Sequence, residues 1–181
     1  MSKKHQKKKP YNRSQKTKQE KEQPKSRLKE AVDGITGLSK FFKVGLHAVK
    51  NADKKHFKSG KSGQFNGSLD IDEAKKEAEH DANRWDYAIE YNGEVFFVEV
   101  HSCSTSEVST MLKKLEWLKH WLKTEAQAID KLKTKRAATY YWIPTKSYDI
   151  LPTAKSSKQF AQSGIAIARI IDCDKLFKKS V

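Results

Sequence analysis

Apolar positions along this chain change their period several times, and each change marks an expected element. From Ile35 to Val49 the apolar residues at 35, 38, 41, 42, 46 and 49 keep helical spacing, with Asp33 or Thr36 available as a cap, which predicts a first helix. The stretch KSGKSGQFNGS, residues 58 to 68, is rich in Gly and Ser and predicts a loop. Asp70 followed by Glu73 makes a capping-box pattern, and Ile71, Ala74, Ala78, Ala82 and Trp85 then line one side of a predicted second helix. Over DYAIEYNGEVFFVEVH, residues 86 to 101, the period drops to two. Asn92-Gly93 at its middle predicts a type I′ hairpin turn, because that turn needs positive φ at both central residues.

The turn sets a register in which Tyr91 faces Glu94 and Asp86 faces Glu99. Asp86, Ala88, Glu90, Val95, Phe97, Glu99 and His101 then share one face, and Tyr87, Ile89, Tyr91, Phe96, Val98 and Val100 the other. Both faces are largely apolar, which places the hairpin inside a sheet. Ser104 with Glu107 repeats the capping-box pattern ahead of a long amphipathic run, residues 106 to 133, whose buried stripe is Met111, Leu112, Leu115, Leu118 and Leu122. Trp117 and Trp121 sit one turn apart on it and read as core packing. RAATYYWIPT, 136 to 145, predicts a strand ended by Pro144. TAKSSKQFAQSG predicts a short helix closed by Gly164, and IAIARIID, 165 to 172, a final strand. This alternation predicts an α/β fold of the α+β kind: one mixed sheet with helices packed against it.

Charge divides the chain in two. The 181 residues carry a net charge of +15, and residues 1 to 30 alone hold twelve Lys and Arg against three Glu. Residues 1 to 25 have no aliphatic residue beyond the initiator Met, so they cannot bury enough apolar area to offset the entropy of ordering. Residues 1–30 are expected to form a disordered basic tail, and residues 31–181 a single globular α/β domain. Tail lysines such as Lys3, Lys4, Lys7, Lys8 and Lys9 attract phosphates through counterion release, on nucleic acid or on an acidic surface. No apolar stretch approaches the ~20 residues of a membrane span, and the N-terminus lacks a signal-peptide core, so an intracellular, cytoplasmic protein without a membrane partner is expected. Cys103 and Cys173 form no CxxC pair and read as reduced thiols. The GKS at 60 to 62 is no phosphate loop: Lys55 stands where that motif needs glycine, and no apolar strand precedes it.

The hairpin carries the candidate chemistry. Directly opposed carboxylates repel each other, and a hard divalent cation, Mg or Mn, between Asp86 and Glu99 offsets that repulsion and offers a place to hold a phosphate and a water. His101, two residues beyond Glu99, projects to the same end. A plain polar strand end is the alternative reading of these three residues.

Asp86, then FFVEVH ending in Glu99-Val100-His101, then a helix starting near Ser104, resembles the PD-(D/E)xK nuclease superfamily over about residues 70 to 145. The resemblance implies a restriction-endonuclease-like core, with Asp86 and Glu99 as metal ligands and His101 in the place of the superfamily's lysine, which positions or deprotonates the attacking water. Glu77 or Asp81 is the candidate acid from the preceding helix. Lys113 or Lys114, on the following helix, is the candidate source of the missing positive charge and of nucleic-acid contact. The chain departs from the pattern at His101 and in having no room, at residues 82 to 85, for the strand that usually precedes the Asp strand. The implied function is metal-dependent cleavage of DNA or RNA phosphodiesters. Its alternatives are a non-catalytic nucleic-acid-binding module of similar fold and a protein-interaction or regulatory subunit.

Overall fold

The computed structural model describes residues 25–60, 63–151 and 155–177. The tail lysines from Lys3 to Lys9 lie outside the described residues. Helix α1 spans Arg27–Asp33 and so begins inside the stretch assigned to the tail. Ser26 caps it, its hydroxyl accepting the Lys29 N–H at 3.0 Å, and Leu28 and Val32 are fully buried. The helix expected over 35–49 does not form. Turns, a single 3₁₀ turn at Ser39–Phe41 and the short strand β1, Phe42–Val44, take its place. The apolar residues in that stretch serve two separate packing surfaces, which a single helical face cannot do: Leu38 and Phe42 join one side of the sheet, Val49 the other.

Strand β2, Phe57–Lys58, is followed by β3, Phe65–Asp70. β3 overturns the expectation of a loop through residue 68. Gly67 is wanted there for closeness, since a Cβ on it would lie 2.4 Å from the Phe42 ring of the neighbouring β1. Asp70 caps α2, Ile71–Lys75, as the capping pattern predicts, its carboxylate accepting the Glu73 N–H at 2.9 Å. The helix stops ten residues before Trp85. Arg84 takes up the carbonyls freed there: its guanidinium donates to Glu79 O and to His80 O, and its Nε donates to Asp72 at 2.9 Å.

Strands β4, Tyr87–Tyr91, and β5, Glu94–Ser104, form the predicted hairpin, with Tyr91 opposite Glu94 and Tyr87 opposite Val98. Asn92 and Gly93 adopt φ of 51° and 81°, as a type I′ turn requires. After a 3₁₀ turn at Thr105–Glu107 comes α3, Val108–Thr124, then α4, Gln127–Asp130, so the long amphipathic run is two helices broken at Ala126. The capping box expected from Ser104 and Glu107 is absent. Ser104 Oγ bonds Ser106 Oγ, and Glu107 turns to His101. Trp117 and Trp121 stack with their rings parallel to within 3°, packed on the core as expected.

Strand β6 runs Tyr140–Asp149, through Pro144 and past the expected end. Pro144 pairs with His101 at the point where the β5–β6 register shifts, and β7 covers only Tyr140 to Trp142, so no ladder bond is demanded of the missing N–H on that side. Helix α5, Lys155–Ser163, ends at Gly164 with φ of 83°, as predicted. The final stretch splits into β7, Ile165–Ile167, and β8, Ile171–Asp172, followed by α6, Cys173–Leu176.

One sheet has the order β1-β3-β4-β5-β6-β7, antiparallel from β1 to β5 and parallel from β5 to β7, and β2 pairs with β8 in a separate parallel pair. The architecture is therefore mixed α/β. The hairpin lies in the middle of the larger sheet, and both of its faces are buried. Ala88, Val95 and Phe97 pack under α1 and α3 with Leu28, Leu115 and Leu118, whereas Tyr87, Ile89, Phe96 and Val98 pack with Val49, Phe57, Ile171 and Phe177. No helix among the described residues is long and apolar enough to cross a membrane.

Candidate active site at the open end of the hairpin

At the end of β4 away from the turn, the ladder continues through side chains. The Asp86 N–H donates to Glu99 Oε2 at 3.1 Å, and the Val100 N–H donates to Asp86 Oδ2 at 2.8 Å. Each carboxylate thus anchors on the backbone of the opposite strand, and the two sit side by side as the register predicts. Glu99 is 1 % exposed. Its Oε1 accepts the ammonium of Lys114, which reaches over from α3 to 2.5 Å. The offset to carboxylate repulsion found here is a lysine, one of the two named on that helix.

Burial pushes both carboxyls up. Asp86 rises because it is desolvated, against the pull of the Val100 N–H and of Lys114. Glu99 goes to about 8, first through burial and then through the Asp86 charge, with Lys114 opposing both. Acids perturbed in this way cluster at functional sites, and structural ion-pair networks perturb acids as well.

His101 is on the same face of β5, and its Nε2 lies 3.0 Å from Glu107 Oε2. Glu107 was expected only as a cap; its position six residues beyond His101 gave no hint of the pairing. Glu77 and Asp81 are exposed, and neither bonds to Asp86 or Glu99. Asp81 pairs with His80 at 3.2 Å. The acid of that region that reaches inward is Glu79, which accepts Trp117 Nε1 at 2.7 Å and pairs with Lys75 at 2.9 Å. Lys113 is exposed on α3 and forms no ion pair among the described residues.

Two groups that sequence reasoning did not place at the site act on Asp86. Asp72 adds to the upward push on its carboxyl and Lys50 pulls it down. Both are brought there by backbone: the Ile71 N–H donates to Asp86 O at 2.8 Å, and the Lys50 N–H to Tyr87 Oη at 3.4 Å. The only available signal for Lys50 was the lysine-rich run that follows it.

Among the described residues no group of three or more His, Cys, Asp and Glu side chains is arranged to hold a metal ion. Asp86 and Glu99 supply hard oxygen donors suited to Mg or Mn, and Asp86 Oδ1 makes no hydrogen bond among the described residues. They fit such an ion in donor chemistry but not in number, so water and a substrate oxygen have to complete its shell. No protein-family model, no curated protein and no solved structure matches this chain.

Proposed function

We propose that the chain is a metal-dependent nuclease-like phosphodiesterase acting on DNA or RNA, with a restriction-endonuclease-like core. The observation that carries this reading is the buried Asp86 and Glu99 pair, joined across two central strands and reached by Lys114 from the next helix. The order of elements supports it: α1, then β3 ahead of the Asp86 strand, then β5 with Glu99-Val100-His101, then α3. β3 pairs with the strand that follows Asp86, but α2 lies between them in sequence, so the departure at residues 82 to 85 stands.

In this reading Asp86 and Glu99 would hold Mg or Mn, and the ion would supply polarisation of a phosphate and a lowered pKa for a bound water. Once a metal took its place on Glu99, Lys114 would be free to face the developing negative charge on the phosphate, a role an ammonium in a dry site can fill. His101, oriented by Glu107, holds or accepts a proton of the attacking water.

The test is cleavage of plasmid DNA and of single-stranded RNA with Mg or Mn, for wild type and Glu99→Gln. Cleavage by wild type and its loss in a variant that still folds is the expected result; equal activity in both, or none in wild type with either substrate and metal, overturns the reading. A non-catalytic nucleic-acid-binding module is the second reading, favoured by one observation: Lys114 already satisfies Glu99 without a metal. Binding without cleavage decides for it.

A further inference from the structure

The segment from Lys50 to Lys58 runs the length of β4 on the face opposite α3. At its start Tyr87, the first residue of β4, accepts the Lys50 N–H at 3.4 Å and donates its hydroxyl to Asp53 at 2.9 Å. At its end the Phe57 ring meets Phe65 at 6.2 Å, and Phe65 meets Tyr91, the last residue of β4, at 5.3 Å. The segment therefore begins at the Tyr87 hydroxyl, on the sheet face opposite the one that carries Asp86 and Glu99 but at the same end of β4, and finishes beside the hairpin turn, a span of roughly 14 Å at the rise of an antiparallel strand.

Along that span it carries Lys50, Lys54, Lys55 and Lys58 with a single carboxylate, Asp53, which the Tyr87 hydroxyl already occupies. Lys50, Lys55 and Lys58 are exposed. None of the four forms an ion pair among the described residues, whereas on the other face Lys75, Lys114 and Lys133 each do. The run is held in shape at both ends and in the middle. His56 Nδ1 lies 2.7 Å from the Arg169 carbonyl, which can only accept, so Nδ1 bears the hydrogen and the exposed Arg169 is fastened beside the lysines.

Successive phosphates of one strand are spaced more widely than the duplex's axial rise of about 3.4 Å, because the strand winds round the axis, so a span of roughly 14 Å meets about three of them, within reach of the four lysines. We propose that Lys50, Lys54, Lys55 and Lys58 form a phosphate-binding track that holds one nucleic-acid strand as it enters the Asp86 and Glu99 site. This rests on the nuclease-like reading for the direction of the strand, and not for its binding.

The test uses the full chain in EDTA, with fluorescence anisotropy of a labelled DNA duplex and a labelled single-stranded RNA over a salt series. One variant changes the four track lysines to Gln. A second changes Lys123, Lys131, Lys135 and Lys158 to Gln, an equal charge removed from exposed positions elsewhere. The track variant is expected to lose at least tenfold in affinity for one or both probes and to flatten the slope of log affinity against log salt by about 3, with the control variant changing by less than half as much. Equal losses in the two variants, a track variant that binds like wild type, or a wild type that binds neither probe overturns the proposal. Because no metal is present, the outcome is read without catalysis. A chain that binds through the track and never cleaves defeats the nuclease reading alone.

Discussion

Lys114 of α3 and Glu99 of β5 form an ion pair 2.5 Å long in which the carboxylate is almost wholly buried and the ammonium is 18 % exposed. Neither is placed by its own neighbours in sequence; the crossover from β5 to α3 brings them together. Removing one partner leaves a buried polar group without compensation, whereas removing both does not. Lys114→Met is therefore expected to lower unfolding stability by about 3 kcal/mol, and the double variant Lys114→Met/Glu99→Gln to recover more than half of it. Urea denaturation of the four proteins measures this. Additive losses would show that the contact carries no coupling.

The same carboxyl dictates an unusual pH dependence. In the metal-free chain Glu99 moves from the ordinary 4.5 to about 8, and Asp86 moves the same way. Between those two values the folded state binds more protons here than the unfolded state, so this site's contribution to stability falls as pH rises through the window. The total effect is on the order of a few kcal/mol. Melting curves in EDTA from pH 5 to pH 8 are expected to show wild type losing stability relative to Glu99→Gln as pH rises. Added Mn is expected to raise the wild-type midpoint more at pH 8 than at pH 5, because its ligands must be deprotonated. Parallel profiles for the two proteins in EDTA would place the titrating group elsewhere.

How much of this was legible follows from which interactions are local. The hairpin was, because Asn92-Gly93 sets the register by turn geometry alone and strict alternation then assigns every side chain to a face. With it came the meeting of Asp86 and Glu99. The stretch from Ile35 to Val49 was not, because its apolar residues face two separate cores and mimic one helical stripe only by coincidence of spacing. β3 was hidden by Gly67, which reads as a breaker yet is there to admit the Phe42 ring. The end of α2 is followed by Arg84 reaching back to carbonyls four and five residues earlier, a local contact that apolar periodicity does not register, and the length of β6 depended on Pro144 falling where a neighbouring strand has ended, a long-range fact.

Glu90 offers a prediction about the other end of the same strand. It is fully buried, and its carboxylate accepts the N–H groups of Arg27 at 2.9 Å and Leu28 at 3.2 Å together with the Ser26 hydroxyl. These are orphan donors at the start of α1, where a negative charge also suits the helix dipole. Glu90→Gln keeps one acceptor and turns an amide N–H₂ toward donors, which is expected to cost about 2 kcal/mol. Hydrogen exchange checks the location: amides of residues 27–33 should lose protection while those of β5 and α3 keep theirs. Uniform loss across the protein would mean that α1 does not open on its own.

His101 tests the chemistry assigned to the site. Its Nε2 is oriented by Glu107 at 3.0 Å, and it stands two residues past Glu99 on the same face of β5. A proton-transfer role predicts that His101→Ala lowers single-turnover cleavage with Mn by about 100-fold, in the range such groups contribute. His101→Lys gives Glu107 an ammonium partner that stays charged to high pH. If the position serves by positive charge rather than by accepting a proton, this variant is expected to cleave faster than wild type and to show a changed pH profile. Both rates are to be measured against Glu107→Gln, which leaves the ring in place and removes only what orients it. If all three variants cleave at the wild-type rate with an unchanged pH profile, the histidine lies outside the reaction and Lys114 alone supplies the positive charge beside the carboxylate pair.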